Sequence, residues 1–265
     1  MATLHRSFGR EAFGGDPANY DSARPPYPEA TWQALRQRAG LRAGIDIVEI
    51  GAGTGLATRL LLAHEPRRLV AIEPDRRLAG YLRAAVPDDS LVVVAEPFET
   101  AELPGGSFDL VACATAFHWL DPIPALVSMR TLLRPDGHVA LWWNVFGEPG
   151  RPDAFHDATA RLFTGHPTSP SGGGTVALPF GLDTEARLAD FAAAGLLADP
   201  PQVLRWTLRL DTGAMRRLYA TYSNVAALPP DERERLLDGL ADVAERQFGG
   251  VVERNLSTSI YTARR

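Results

Sequence analysis

One stretch constrains the fold more than any other: Val48-Glu49-Ile50-Gly51-Ala52-Gly53-Thr54-Gly55-Leu56. The apolar run over 45–50 reads as a buried strand, and 56–63 carries a helical pattern. A strand that turns into a helix through three glycines brings bare backbone close to a ligand, because no Cβ stands in the way. In open α/β sheets such a turn, at the carboxyl end of a central strand, is where nucleotide-like ligands bind.

The spacing selects among such ligands. A dinucleotide fingerprint has glycines at its first, third and sixth positions. Here they fall at 51, 53 and 55, and the sixth position is Leu56. Glu49 lies two residues before the first glycine, and its carboxylate would repel a pyrophosphate in a low-dielectric crevice. It suits a ligand carrying an ammonium or a sulfonium. The turn therefore favours S-adenosylmethionine over NAD.

The chain beyond repeats the strand–helix alternation. Residues 69–73 form a second strand ending in Glu73, 22 residues after Gly51. An acid there accepts two hydrogen bonds from a ribose diol, which both cofactors carry; a solvent-facing acid is the plainer alternative. A helix over 75–86 leads to a third strand, 91–95, and then to Glu96-Pro97-Phe98-Glu99. Phe98 either covers an adenine face or joins the core. A fourth strand, 107–114, runs into Thr115-Ala116-Phe117-His118-Trp119-Leu120-Asp121, which puts His118 and Trp119 on the same edge as Gly51 and Glu73. After a helix over 123–133 and a turn at Arg134-Pro135-Asp136-Gly137, a fifth strand, 138–144, ends in Trp142-Trp143-Asn144. Five alternations predict an α/β fold with a doubly wound parallel sheet.

The flanks read differently. Residues 1–28 are polar, and the prolines of Pro25-Pro26-Tyr27-Pro28 hold an extended path. This arm could close over the ligand crevice, with Tyr20 against a cationic sulfur and Arg24 on a carboxylate, or it could merely pack on the surface. A helix over 29–39 has Trp32 and Leu35 on one face. Residues 145–180, with Ser171-Gly172-Gly173-Gly174, read as an insertion with a mobile loop. Then come a helix (183–194), a strand (203–210), a helix (212–225) bearing Tyr219, Tyr222 and Ser223 on or near one face, a helix from Pro230 to about Phe248 and a last strand (256–263). The expected organisation is one catalytic unit: a cap arm over 1–28, a cofactor-binding core over 29–144, an insertion over 145–180, and a C-terminal part with lid helices over 181–265.

Composition removes several classes of function. A hydrophobic fraction of 45% over 265 residues supports a full core, and a net charge of -5 offers no basic surface for nucleic acid. Cys113 is the single cysteine, which excludes intrachain disulfides and cysteine-rich zinc sites, and no ligand cluster suggests a metal. No run is long enough to span a membrane and no signal peptide is evident, so the cytoplasm is the default. All 27 basic residues are arginine, a usage associated with GC-rich bacteria and, more loosely, with secondary metabolism. A monomer or a homodimer is expected.

Together these motifs resemble the class I S-adenosylmethionine-dependent methyltransferases. The likeness is carried by residues 49–55, Glu73-Pro74, Ser107-Phe108-Asp109-Leu110-Val111, Phe117-His118-Trp119 and Leu133-Arg134-Pro135-Asp136-Gly137. It implies a mostly parallel seven-stranded sheet whose last strand is antiparallel. It also implies that Glu49, Gly51, Ala52, Gly53, Thr54 and Gly55 meet the methionine part of the cofactor, that Glu73 and Pro74 hold the ribose, and that Phe98 and Glu99 bracket the adenine. With Glu99 matched to the family's usual acid, the place of its adenine-contacting Asp falls on Pro97, so adenine recognition would rest on backbone near Phe98. Tyr20, Arg24-Pro25, Tyr27-Pro28, residues 117–121 and Thr221-Tyr222-Ser223 are most similar to the small-molecule, trans-aconitate methyltransferase-like group of type 11 methyltransferases. That narrower resemblance implies an arm that closes over the cofactor, with Tyr20, Arg24, Thr115, His118 and Trp119 at it. It further implies a helix over 212–223 that roofs a substrate pocket, for which Tyr27, Trp119, Asn144, Tyr219 and Tyr222 are candidates.

The expected reaction is methyl transfer from S-adenosylmethionine to a carboxylate, hydroxyl or amine of a small molecule, yielding S-adenosylhomocysteine. Alignment and exclusion of water carry such a displacement. A hydroxyl or amine would call for a base, for which His118 is the candidate, as base or as orienting group. The alternatives are a non-catalytic cofactor-binding protein on the same scaffold and an NAD(P)-dependent oxidoreductase.

Overall fold

The computed structural model describes residues 3–172 and 178–265. Strand β1 (Asp46–Ile50) is buried at all five positions, flanked in parallel by β2 (Arg68–Ile72) and β4 (Phe108–Ala114). Continuous apolar strands demand cover on both faces, and helices supply it. Alternate side chains of the strands point to opposite sides. Val48, Ile50, Val111 and Cys113 pack with Leu126 and Met129 of one helix, Pro122–Leu132, and Phe191 of another, Thr184–Ala193. Ile47, Leu69, Leu110 and Trp142 pack against Trp32, Leu61 and Leu82 from three helices on the other side.

The order across the sheet is β3 (Leu91–Val94), β2, β1, β4, β5 (Leu133–Phe146), β8 (Val251–Arg264) and then β6 (Leu197–Ala198), with β7 (Gln202–Asp211) also on β8. β8 runs antiparallel to β5, as expected. The sheet has eight strands rather than seven because its outermost position is split. β6 pairs with residues 263–264 of β8 and β7 with 251–260, interrupted at Pro200-Pro201. The expected turn at residues 134–137 is absorbed into β5. Leu133 pairs with Phe108 and His138 with Leu110, and the extra residues are accommodated by Asp136 at φ 63°.

The flanks depart further from expectation. The arm is not simply extended: it holds a 3-10 turn (Arg6–Arg10) and helix α1 (Pro17–Ala23), whose Asp16 cap accepts from the Asn19 N–H. α1 buries no residue, so it has no apolar stripe to read. The insertion contains a helix, Ala154–Thr159, which joins the helices Thr212–Ala220 and Pro230–Phe248 in a separate lid core of Phe155, Met215, Tyr219, Leu237 and Leu240. Gly173 and Gly174 of the expected loop lie outside the described residues. The helix expected over 212–225 is broken at Thr221-Tyr222 and resumes as Ser223–Ala226.

Opposite the glycine turn, the amino edge of the sheet carries an ionic cluster. The Asp46 side chain is 4% exposed and accepts from Arg67 and, at 2.5 Å, from Arg134, which also reaches Asp109. Hydrogen bonds from Arg67 above all, against the cost of burial, hold the Asp46 carboxyl down at about 2. An unfolded Asp titrates near 3.9, so this stabilisation is complete above about pH 4 and is lost as pH falls toward 2. Asp46→Asn is expected to cost about 2 kcal/mol at pH 7, discounted for the part-exposed arginines, with the gap from wild type closing below about pH 3. Urea midpoints at the two pH values check this; equal midpoints at pH 7 would remove the cluster from the stability of the fold.

Candidate active site

Three cavities open at the carboxyl edge of the sheet, and Tyr20 and Thr115 line all of them. Thr115 follows the last residue of β4 and holds φ 53°, a conformation that is costly for a β-branched residue. It is pinned from both sides: its N–H donates to the Trp142 carbonyl at 2.7 Å, and its hydroxyl shares a 2.8 Å hydrogen bond with Tyr27. Tyr27 is itself wedged edge-on against Trp32 and Trp142.

The first cavity spans about 730 Å³ with its open mouth included. Its floor is Gly51, Gly53, Glu73 and Pro74, its far wall Pro97, Phe98 and Glu99, and its roof Gly9, Phe13 and Tyr20 of the arm with Trp119. Glu73 is held from two directions: Oε2 accepts from the Gly53 N–H at 2.8 Å and Oε1 from the Asp75 N–H at 2.9 Å. Burial nevertheless raises its carboxyl to about 7, a cost that donors supplied by a ligand would offset. Phe98 belongs to both alternatives read from sequence, since it packs into the core and also lines this cavity.

The second cavity, about 570 Å³, is lined by Glu49, Gly51, Ala52, Gly53 and Thr54, with Tyr20, Arg24 and Tyr27 of the arm. Gly51, Gly53 and Gly55 all have positive φ. A Cβ on Gly51 would meet that of Ala116 at 2.4 Å, whereas one on Gly53 would meet nothing within 4 Å. Glu49 is buried and accepts from the Thr58 hydroxyl at 2.6 Å; burial raises its carboxyl to about 8. Thr54 Oγ1 is buried with no hydrogen-bond partner. A bare backbone cradle, an unpaired hydroxyl and a buried carboxylate fit a ligand with polar and cationic groups, as S-adenosylmethionine has.

The third cavity is the largest of the three, about 1130 Å³ with its open mouth included, and lies between the arm, the ends of β4 and β5, and the lid. Arg24, His118, Trp119, Asn144 and Tyr222 line it with Trp143 and Phe146. His118 is buried, and its Nδ1 accepts from the Trp143 Nε1–H at 3.2 Å. The ring proton therefore sits on Nε2, and burial pushes its pKa down to about 3, helped by the charges of Arg24 and Arg6. His118 is thus a hydrogen-bond donor or orienting group rather than a base.

Several candidates lie elsewhere than expected. Tyr27 faces the second cavity, not the third. Asn144 lines both, but its amide donates to the Pro25 and Pro26 carbonyls and accepts from Thr258, so it clamps the arm. Tyr219 lines none of the three; it packs in the lid core and bonds to Arg254, itself paired with Asp153. Gly55 also stays out of the cavities. It starts the helix Leu56–Leu62, where a Cβ would meet Leu82 at 2.5 Å. Sequence reasoning missed Gly9 and Phe13. Gly9 lies so close to the Trp119 ring that a Cβ would come within 2.2 Å of it, and Phe13 packs on Tyr20 and Trp119. A glycine and an aromatic in a polar arm were the available signal.

The chain is similar to known methyltransferases in sequence and in fold. Residues 48–141 match the family described as methyltransferase domain. An uncharacterized methyltransferase of Schizosaccharomyces pombe is 26% identical over 95% of this chain and 96% of its own length. An uncharacterized methyltransferase of Mycobacterium bovis is 35% identical over 52% of this chain, which spans about half (54%) of that protein. Among solved structures, a phosphoethanolamine N-methyltransferase of Haemonchus contortus, in complex with S-adenosylhomocysteine, shares the fold with a TM-score of 0.57 at 12% identity, over 95% of this chain and 57% of that one.

Proposed function

With a class I S-adenosylmethionine-dependent methyltransferase domain at its core, this chain takes S-adenosylmethionine as cofactor, and we propose that it methylates a small molecule held in the third cavity. One observation carries this reading: the three cavities share Tyr20 and Thr115, the arm lines all of them, and the third also has Tyr222 and Ser223 of the lid on its wall. An acceptor in the third would face a cofactor in the other two.

When bound, the cofactor supplies a methyl group already activated by its sulfonium charge. The residues of this chain bind, align and dry the site. Glu73 accepts from the ribose hydroxyls, its orientation set beforehand by the two backbone N–H groups. The walls of Pro97, Phe98 and Leu78 take the adenine, by shape and backbone rather than by an Asp side chain. Glu49 and Thr54 serve the methionine end, and the ring of Tyr20 lies against the cationic sulfur. Two carboxyl groups beside the glycine turn, both raised by burial, have their charged form stabilised by a cation and further disfavoured by a dinucleotide's pyrophosphate.

Calorimetric titration with S-adenosylhomocysteine, against NADH and NADPH as controls, tests the assignment. Binding of the first alone is expected; binding of a nicotinamide instead would overturn it. Glu73→Ala is expected to weaken S-adenosylhomocysteine by about 1–3 kcal/mol, the scale of charged hydrogen bonds. An unchanged dissociation constant in that variant would rule out the ribose role.

A further inference from the structure

We propose that Tyr27 is a positioning residue for methyl transfer: its hydroxyl holds Thr115 in a left-handed conformation that sets the wall shared by the cofactor and acceptor cavities. This rests on the methyltransferase reading above. Three described residues other than glycine have positive φ, namely Glu65, Thr115 and Asp136, and Thr115 alone of them is β-branched and lines the cavities. Such a conformation persists only where its surroundings impose it. The Trp142 carbonyl, which accepts from the Thr115 N–H at 2.7 Å, would serve any residue with an N–H at this position. The tie to the side chain is the 2.8 Å bond between the Thr115 and Tyr27 hydroxyls. Tyr27 has little freedom to follow Thr115 elsewhere. Its ring stands edge-on to Trp32 and Trp142, with centroids 6.2 and 5.9 Å away, and the segment before it is clamped where the Asn144 amide donates to the Pro25 and Pro26 carbonyls.

In this conformation Thr115 turns the chain. β4 pairs with β5 as far as Ala114 and Trp142, and the 3-10 turn Phe117–Trp119 starts two residues after Thr115. An extended residue at 115 would carry the chain straight on. The left-handed one redirects it, so that Ala116 lands on Gly51, His118 lines the third cavity and Trp119 lines the first and the third. The fit to Gly51 is tight, since a Cβ there would come within 2.4 Å of that of Ala116. The glycine turn, and with it the cofactor site, therefore feels any relaxation at 115. A residue that is left-handed for only part of the time lowers the affinity for cofactor by that fraction. Tyr27 thus acts through Thr115 and needs no contact with the reacting atoms.

Calorimetric titration of the full chain with S-adenosylhomocysteine, run as a double-mutant cycle, tests this. Tyr27→Phe removes the hydroxyl and keeps the ring against Trp32 and Trp142. It is expected to weaken S-adenosylhomocysteine about fivefold, the scale of one net hydrogen bond. Thr115→Gly removes the need for the tie, because glycine takes positive φ without steric cost. In that background Tyr27→Phe should change affinity less than about twofold. The tie can also be cut from its other end. Thr115→Val should lose about as much as Tyr27→Phe, whereas Thr115→Ser, which keeps the hydroxyl, should retain most of the wild-type affinity. Thermal melts on each variant ensure that folded protein is compared. A fivefold loss that recurs in the Thr115→Gly background would overturn the proposal, since Tyr27 would then touch the ligand or merely hold the fold. So would wild-type affinity in Tyr27→Phe, loss of all binding in Thr115→Gly, or equal losses in Thr115→Val and Thr115→Ser. Failure of the wild type to bind S-adenosylhomocysteine would overturn the methyltransferase reading itself.

Discussion

Gly53→Val is expected to weaken cofactor binding about 100-fold while the fold survives. Gly53 sits at φ 59°, in the left-handed region, and a β-branched residue there is strained by roughly 1–2 kcal/mol. The fold has room for the new side chain, because a Cβ at this position meets no atom within 4 Å. That room is the ligand's: Gly53 lines both the first and the second cavity. An isopropyl group would stand where the backbone approaches the cofactor, and overpacking of that kind costs enough to weaken S-adenosylhomocysteine about 100-fold. Strain alone should lower the melting temperature by about 5 °C. Gly106→Val separates the two effects. Gly106 also has positive φ with nothing within 4 Å of a Cβ, but it lies in the turn before β4, away from the cavities. It should reproduce the melting shift and leave affinity intact. Calorimetry on both variants decides, and normal affinity in Gly53→Val would displace the cofactor from the glycine turn.

The contrast between these glycines shows what a sequence makes legible. Strand, turn and helix around Gly51 were readable because each has a local signature: an apolar run, residues able to take positive φ, and a helical pattern. The acid at the end of β2 was readable by position. What joins these parts is not local. Thr115 becomes the meeting point of the cavities only because Tyr27, 88 residues earlier, reaches its hydroxyl. His118 reads as a base in isolation and becomes a donor once Trp143, 25 residues later, points its N–H at Nδ1. Tyr219 and Tyr222 look equivalent on a helix, but the break at Thr221 leaves the first bonded to Arg254 in the lid and the second at the cavity wall. Pairings set by tertiary packing leave no periodic trace. α1 escaped notice for a related reason, although Asp16 followed by Pro17 is a recognisable helix start.

Deleting residues 1–24 is expected to cost activity far more than stability. None of the residues 3–24 belongs to the buried part of any of the three hydrophobic clusters, and α1 buries no residue. The arm is tied down mainly by polar contacts, namely Arg6 to the Leu120 carbonyl, a part-buried two-pronged pair of Asp21 with Arg59, and Arg77 to the Glu11 carbonyl, with the Phe13 ring packed on Trp119. Surface pairs of this kind contribute little each, so the melting temperature should fall by about 3 °C or less. The same segment supplies Gly9, Phe13, Tyr20 and Arg24 to the cavities. Without it, all three cavities lose part of their enclosure and the third loses its cation. Misalignment and entry of water should then reduce turnover by at least about 100-fold. Thermal melts and methyl-transfer rates on the same preparation separate the two effects. Turnover that persists would make the arm a packing element, and a melt that collapses would mean its surface contacts hold more of the fold together than their exposure suggests.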